Sequence, residues 1–250
     1  MIPTPIRQVL STIRKHQVQA LLMGGQACVF YGAAQFSKDV DFAVLADTSN
    51  YDRLRAALAE LGADRIAVPR FDPAALARGH AVHFRCQAEG VEGLRVDVMT
   101  RLRDLPDFLT MWERRTTITE AEGNVVELLS VEDLVQAKKT QREKDWPVIS
   151  ALVEGHFRQF SQEPNPDRIR FWLREARTQE RLSELVSRFP VEATTLQGSR
   201  PLLAHAMAGD HDTLRAALDA EVRSEQAKDR AYWEPLRREI EAFRREERQA

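Results

Sequence analysis

The stretch from Ala20 to Phe42 constrains this chain more than any other. A short apolar run, Ala20-Leu21-Leu22-Met23, stops at the pair Gly24-Gly25; an unbroken segment leads to Gly32, and Ser37-Lys38-Asp39-Val40-Asp41-Phe42 follows. An apolar run of this length ending at Gly-Gly reads as a buried strand and a tight turn. The segment Gly25–Ala33 then reads as a helix. Strand, glycine turn and helix start form an anion-binding arrangement, because free backbone N–H groups and the helix dipole face the ligand and glycine permits close approach. In the next strand, Asp39 and Asp41 alternate with Val40 and Phe42. Residues i and i+2 of a strand share a face, so the two carboxylates project together while their apolar neighbours enter the core. On a helix they would diverge by roughly 200°.

Two adjacent carboxylates repel unless a cation or a proton lies between them. Asp is also disfavoured in strands. Asp97, within Leu94-Arg95-Val96-Asp97-Val98-Met99, repeats the pattern. Asp39, Asp41 and Asp97 are therefore candidate ligands of a hard divalent cation, Mg²⁺ or Mn²⁺. Mg²⁺ prefers oxygen and usually takes one or two carboxylates together with substrate phosphates.

Hydrophobic patterning gives an α/β (α+β) chain: a mixed sheet core over residues 1–129 and a helical C-terminal region over residues 130–250. Expected elements are a helix at Ile6–Lys15, strands at Ala20–Met23 and Val40–Leu45, and a helix capped by Asn50 and ended by Gly62. The Pro-containing stretch Ala63–Gly79 reads as irregular. Ala81–Cys86 and Leu94–Met99 form a strand pair, and Thr116–Thr119 with Asn124–Leu128 a smaller one. Ser130-Val131-Glu132-Asp133 has the form of a capping box, and from Trp146 onward the pattern is helical. With 36 basic and 38 acidic side chains and a formal net charge of −2, bulk charge selects no polyanionic partner; only a local basic patch can. No apolar run approaches the ~20 residues of a membrane span, so no membrane partner is expected. Met1-Ile2-Pro3-Thr4-Pro5 lacks the regions of a signal peptide. Cys28 and Cys86 lack zinc-site spacing and read as reduced core residues, so a cytoplasmic location is expected.

The block Gly24-Gly25-Gln26-Ala27 followed by Ser37-Lys38-Asp39-Val40-Asp41-Phe42 resembles the signature of the DNA polymerase β-type nucleotidyltransferase superfamily. More narrowly, it is similar to AbiEii-like nucleotidyltransferases, many of which are toxins of bacterial toxin–antitoxin or phage-defence pairs. A second block, Leu129-Ser130-Val131-Glu132-Asp133-Leu134-Val135-Gln136-Ala137-Lys138 with Arg142-Glu143-Lys144-Asp145, resembles the helical segment that follows the catalytic sheet there. Together the two span roughly Val18 to Val153. The chain departs from the pattern at Gln35-Phe36-Ser37, where many relatives carry Arg-x-Ser or Arg-x-Thr. The resemblance implies a metal-dependent transfer of a nucleoside monophosphate from an NTP. Asp39, Asp41 and Asp97 would be catalytic and hold metal, Gly24, Gly25 and Gln26 would bind nucleotide, and Lys138 would neutralise phosphate. The implied acceptor is RNA such as tRNA, or else a protein, and an antitoxin protein is an implied partner. Two other readings stand beside it: a non-catalytic nucleotide or nucleic-acid binding module, and an enzyme modifying a small drug-like alcohol.

Several residues have plainer readings. His80 and His83 read as ordinary strand histidines on opposite faces. Asp145 either orients Lys138 or caps the following helix. Arg170, Arg174, Arg177 and Arg181 are spaced to line one helix face; Arg174 and Arg177 are candidate contacts to an acceptor backbone, although interspersed glutamates suit a solvated face equally. Glu234–Arg238 and Glu241–Arg245 read as i,i+4 pairs, Leu236, Ile240 and Phe243 as an apolar seam, and the tail beyond Arg244 as frayed.

Overall fold

The computed structural model describes residues 3–120 and 123–249; Met1 and Ile2 of the N-terminal stretch read above lie outside them. The chain forms two compact units. The sheet unit comprises Met1–Phe30, Ala34–Ala137 and Tyr232–Ala250, and the helical unit Tyr31–Ala33 and Lys138–Ala231. The division at 129/130 drawn from sequence and this partition place residues 31–33, 130–137 and 232–250 on different sides.

The elements of the first 137 residues are α1 (Thr4–Lys15), β1 (Ala20–Met23), α2 (Gly24–Phe30), β2 (Asp39–Val44), α3 (Thr48–Glu60), β3 (Asp64–Arg65), α4 (Pro73–Arg78), β4 (Val82–Arg85), β5 (Arg95–Met99), α5 (Phe108–Glu113), β6 (Thr116–Thr119), β7 (Val125–Leu128) and α6 (Val131–Ala137). The strands form one seven-stranded mixed sheet in the order β3-β4-β5-β2-β1-β7-β6. β2 lies antiparallel to β1 and parallel to β5. All four residues of β1 are buried, which its uninterrupted apolar run requires of a central strand. The α/β class with a helical C-terminal part is the one observed.

Asn50 does not cap α3. Asp47 does, its side chain accepting the Asn50 amide at 3.2 Å. Asn50 is buried one turn in and joins the neighbouring strand ends instead: its Oδ1 accepts the Gln19 amide at 2.8 Å, and its Nδ2 donates to the Leu45 and Gln19 carbonyls at 3.0 and 3.1 Å. The entry to β1 and the exit from β2 are thereby fixed to one side chain. The stretch read as irregular holds β3 and α4; Asp72 caps α4 and Gly79, at φ +107°, ends it. The Ser130 box is half formed. Ser130 Oγ accepts the Asp133 amide at 3.1 Å, while the Asp133 carboxylate takes Arg114, with Nε at 2.8 Å.

The later elements are α7 (Asp145–Phe160), α8 (Pro166–Glu175), α9 (Gln179–Arg188), α10 (Pro190–Leu196), α11 (Leu202–Ala208) and α12 (His211–Gln249). From Arg245 to Gln249 the tail expected to fray is helical; Ala250 lies outside the described residues. Within the sheet unit, Glu239 accepts Arg78 Nε at 2.7 Å and meets His80 Nε2 at 2.9 Å, Glu247 pairs with Arg65 at 2.7 Å, and Phe243 packs edge-on against His80. Arg238 pairs with Glu234 at 2.9 Å as the spacing predicts, but Arg245 donates to the Glu241 main-chain carbonyl. Cys28 and Cys86 are buried thiols, that of Cys28 donating to the Gly24 carbonyl at 3.1 Å, and burial pushes the Cys86 thiol pKa up. Among the described residues no helix is long and apolar enough to cross a membrane.

The helical unit is centred on Trp172, which is fully buried and donates its indole N–H to His156 Nδ1 at 2.9 Å. Burial, reinforced by Arg168, lowers the His156 pKa to about 4. Protonation there would place a hydrogen on the accepting nitrogen. The unfolded chain protonates near pH 6.5 and the folded one near 4, so stability falls as pH is lowered through that window. Thermal melting from pH 7 to pH 4 should show this decline, and His156→Gln, which keeps an acceptor without a titrating ring, should flatten it. An unchanged pH profile in that variant would remove His156 as the cause.

Candidate active site

The site is built on one face at the centre of the sheet. In β2, Val40 and Phe42 are buried while Asp39 and Asp41 are partly exposed on the other side. The parallel register places Asp41 opposite Asp97 and Asp39 opposite Arg95. The antiparallel neighbours add Met23 opposite Asp41 and His83 opposite Asp97. Register partners share a face, so Met23, Asp41, Asp97 and His83 form one row across four strands.

Asp97 is only 9% exposed, and its charge is compensated. Oδ1 lies 2.8 Å from Arg95 Nε and 2.8 Å from His83 Nδ1. Arg95 Nη2 also lies 2.9 Å from His83 Nδ1. That nitrogen serves one role at a time: protonated, it donates to the carboxylate; bare, it accepts from the guanidinium. Burial pushes the Asp97 carboxyl pKa up, but the bonds from His83 and Arg95 outweigh it and hold the value below the usual carboxylate range. The same bond, with the charges of Asp97, Asp39 and Asp41, raises the Arg95 pKa against the opposing effect of desolvation. His83 is thus no ordinary strand histidine. Its contact with Asp97 and that of Arg95 escaped the sequence reading, although Arg95 stands two residues before Asp97 on a strand and so shares its face.

The three carboxylates share a face but are not gathered on one point. Among the described residues, no group of three or more His, Cys, Asp or Glu is arranged to hold a metal ion. Asp97 is turned to Arg95 and His83 instead. Asp39 and Asp41 remain a two-carboxylate pair of the kind Mg²⁺ accepts when phosphates complete its shell.

Both glycines of the turn are explained by protein side chains. Gly24 has φ +66°, and a Cβ there would stand 1.9 Å from Asp41 Oδ2 and 2.5 Å from its Cγ. A Cβ on Gly25 would meet Ser37 Oγ at 2.6 Å. The Cα faces expected to receive phosphate are covered by Asp41 and Ser37. Gln26, expected to bind nucleotide, is fully buried, and neither of its amide atoms finds a hydrogen-bond partner.

The remaining candidates lie in the helical unit. Lys138 Nζ bonds Asp145 Oδ1 at 3.2 Å. Of the two readings of Asp145, the orienting one is observed: it accepts Thr140 and Lys138 and makes no cap. Lys139 pairs with Glu175 at 2.8 Å. The arginine stripe does not exist as a single helix face, because Arg170 and Arg174 lie on α8, Arg181 on α9 and Arg177 between them. Arg177 is 8% exposed and bonds Glu221 at 2.7 Å, which Arg200 also binds. It is structural rather than a surface contact, while Arg174 is exposed.

No family model matches the chain, and no curated protein does. Solved structures similar to it include two from the same species. One is that of a proposed nucleotidyltransferase from H. pylori, 16% identical, with 91% of this chain and 94% of the other covered and a TM-score of 0.42. The other is JHP933 from Helicobacter pylori, 16% identical, with coverages of 88% and 93% and a TM-score of 0.40.

The glycine contacts make a direct prediction. Gly24→Ala and Gly32→Ala both put a side chain at positive φ, +66° and +71°, but the space at Gly32 is open. Each carries a backbone cost of about 1 kcal/mol or more. Only Gly24→Ala must also displace Asp41. In denaturant unfolding it should lose at least about 1 kcal/mol more than Gly32→Ala; equal losses would mean Asp41 moves aside without cost.

Proposed function

We propose that this chain is a Mg²⁺-dependent nucleotidyltransferase that moves a nucleoside monophosphate from an NTP to a macromolecular acceptor, RNA such as tRNA before protein. The observation that carries this is the register that sets Asp39 and Asp41 on one sheet face with Asp97 beside Asp41. Asp39 and Asp41 are the residues that would hold the ion. Mg²⁺, when bound, neutralises the triphosphate and polarises the phosphoryl group under attack. Asp97 acts differently from the pair. Kept ionised by Arg95 and His83, it accepts a hydrogen bond from the acceptor hydroxyl and orients that oxygen. Its lowered pKa makes it a weak base, so orientation outweighs proton abstraction. Arg95, its side chain 37% exposed beside the carboxylates, offers a cation to the charge that builds up on the phosphoryl oxygens. The preference for RNA, and a role as the toxin of a toxin–antitoxin pair, rest on the family resemblance. With the Arg177 side chain covered and paired with Glu221, Arg174 is the remaining candidate for contact with an acceptor backbone. A second reading, a nucleotide-binding module without catalysis, is favoured by the pairing of Asp97 with Arg95, which leaves the third carboxylate already satisfied.

The test is to incubate the protein with each α-labelled NTP, Mg²⁺ and purified tRNA or cell extract. Label should enter RNA, and chelation should stop it. Asp39→Asn and Asp41→Asn should each lower transfer by ~100-fold or more, since a lost metal contact costs several kcal/mol and each 1.36 kcal/mol is tenfold. Asp97→Asn should slow transfer while NTP binding survives. Wild-type rates in the first two variants would overturn the metal assignment. A labelled protein band without labelled RNA would overturn the choice of acceptor, and NTP binding without any transfer would leave the module reading.

A further inference from the structure

The loop that delivers Asp39 to the sheet carries a feature that the proposed chemistry does not use. Phe36 is 70% exposed. Lys38 is exposed too, whereas Ser37 between them turns inward. Ser37 Oγ donates to the Asp39 carbonyl at 3.0 Å, receives the Asp39 amide at 3.4 Å and covers Gly25. Upstream, the Ala34 amide is fixed to the Cys28 carbonyl at 3.2 Å. The loop is therefore pinned at both ends, and its outward side chains are presented from a fixed base. Phe36 stands three positions before Asp39, so their Cα atoms lie at most about 11 Å apart. That is a distance a nucleotide bridges from phosphate to base.

We propose that Phe36 is a stacking platform for the nucleobase of the bound NTP, with Lys38 as a flanking cation for its phosphates. This rests on the nucleotidyltransferase reading. An aromatic ring held in water gains nothing from folding, but it has a π-face on which any base can stack. An adjoining lysine supplies the charge that tracks a phosphate. No hydrogen-bonding group of the loop is needed for the base, so the platform serves all four bases similarly. The occupant is the NTP rather than the acceptor strand, because the loop leads directly into Asp39 and Asp41, where the triphosphate is held.

The test uses α,β-methylene NTPs with Mg²⁺ in calorimetric titrations, and inorganic tripolyphosphate with Mg²⁺ as a probe without a base. Phe36→Ala should weaken all four analogues by roughly 5- to 150-fold, the range for loss of one base–aromatic stack, and leave tripolyphosphate binding unchanged. Phe36→Trp should restore affinity, and Phe36→Leu, apolar but without a π-face, should not. Melting temperatures should match the wild type, since the side chain buries little. Transfer by Phe36→Ala should recover at saturating NTP. Analogue affinity unchanged in Phe36→Ala overturns the proposal while the transferase stands, and so does an effect confined to the apparent KM for the acceptor. Failure of the wild type to bind any analogue overturns both.

Discussion

The parallel pairing of β2 with β5 is the constraint on which the rest depends. It is fixed from behind: Val40, Phe42, Val96 and Val98 are buried on the core side, and a slip of one residue would turn each of them outward. The same apolar residues thereby decide that Asp41 faces Asp97 and Asp39 faces Arg95. Asn50 adds a second restraint by joining the residues that flank β1 and β2. The chemistry of the site is a by-product of core packing on the opposite face.

Given that register, the sheet face must solve a charge problem. Carboxylates on adjacent strands repel, and a nearly buried one pays a desolvation cost that only a good partner offsets. Arg95 and His83 supply the partner for Asp97, and Gly24 makes room for Asp41 by having no side chain. The helical unit meets an analogous problem with the signs reversed. There Arg200 is buried, the Arg177 side chain is largely covered, and both share Glu221, while Arg200 also donates to the carbonyls of Leu173 and Ala176 at 2.8 and 2.9 Å. Hydrogen bonds compensate the charges of Asp97 and Arg200, whereas Arg177 is held by its ion pairs and keeps a buried Nε without a hydrogen-bond partner.

Much of this was legible in the sequence where a local rule governs. β1 and β6 fall at the residues expected from their patterning, and the shared face of Asp39 and Asp41 follows from strand periodicity alone. The departures occur where distant partners decide. The spacing of Arg170 to Arg181 is helical, but Thr178 caps a new helix and Arg177 turns inward to Glu221, forty-four residues away. Asn50 is a good cap by type, yet Asp47 precedes it and the strand ends claim its amide. His83 reads as an ordinary histidine until the register of β4 against β5 is known. The glycine pair reads as a cradle for a ligand until Asp41 and Ser37 are seen against it.

The last turns of α12 belong to the sheet unit, whereas residues 138–231, with 31–33, form the other one. The sheet unit is therefore discontinuous in sequence. During synthesis, every residue that lines the carboxylate face leaves the ribosome well before Glu239 and Glu247 exist to meet His80, Arg78 and Arg65. The nascent sheet must stand without that support while nearly a hundred residues of helix are made. Closing so long a loop costs little more than closing a short one, but it takes place late. The order of translation thus separates the appearance of the active-site side chains from the completion of the body that carries them.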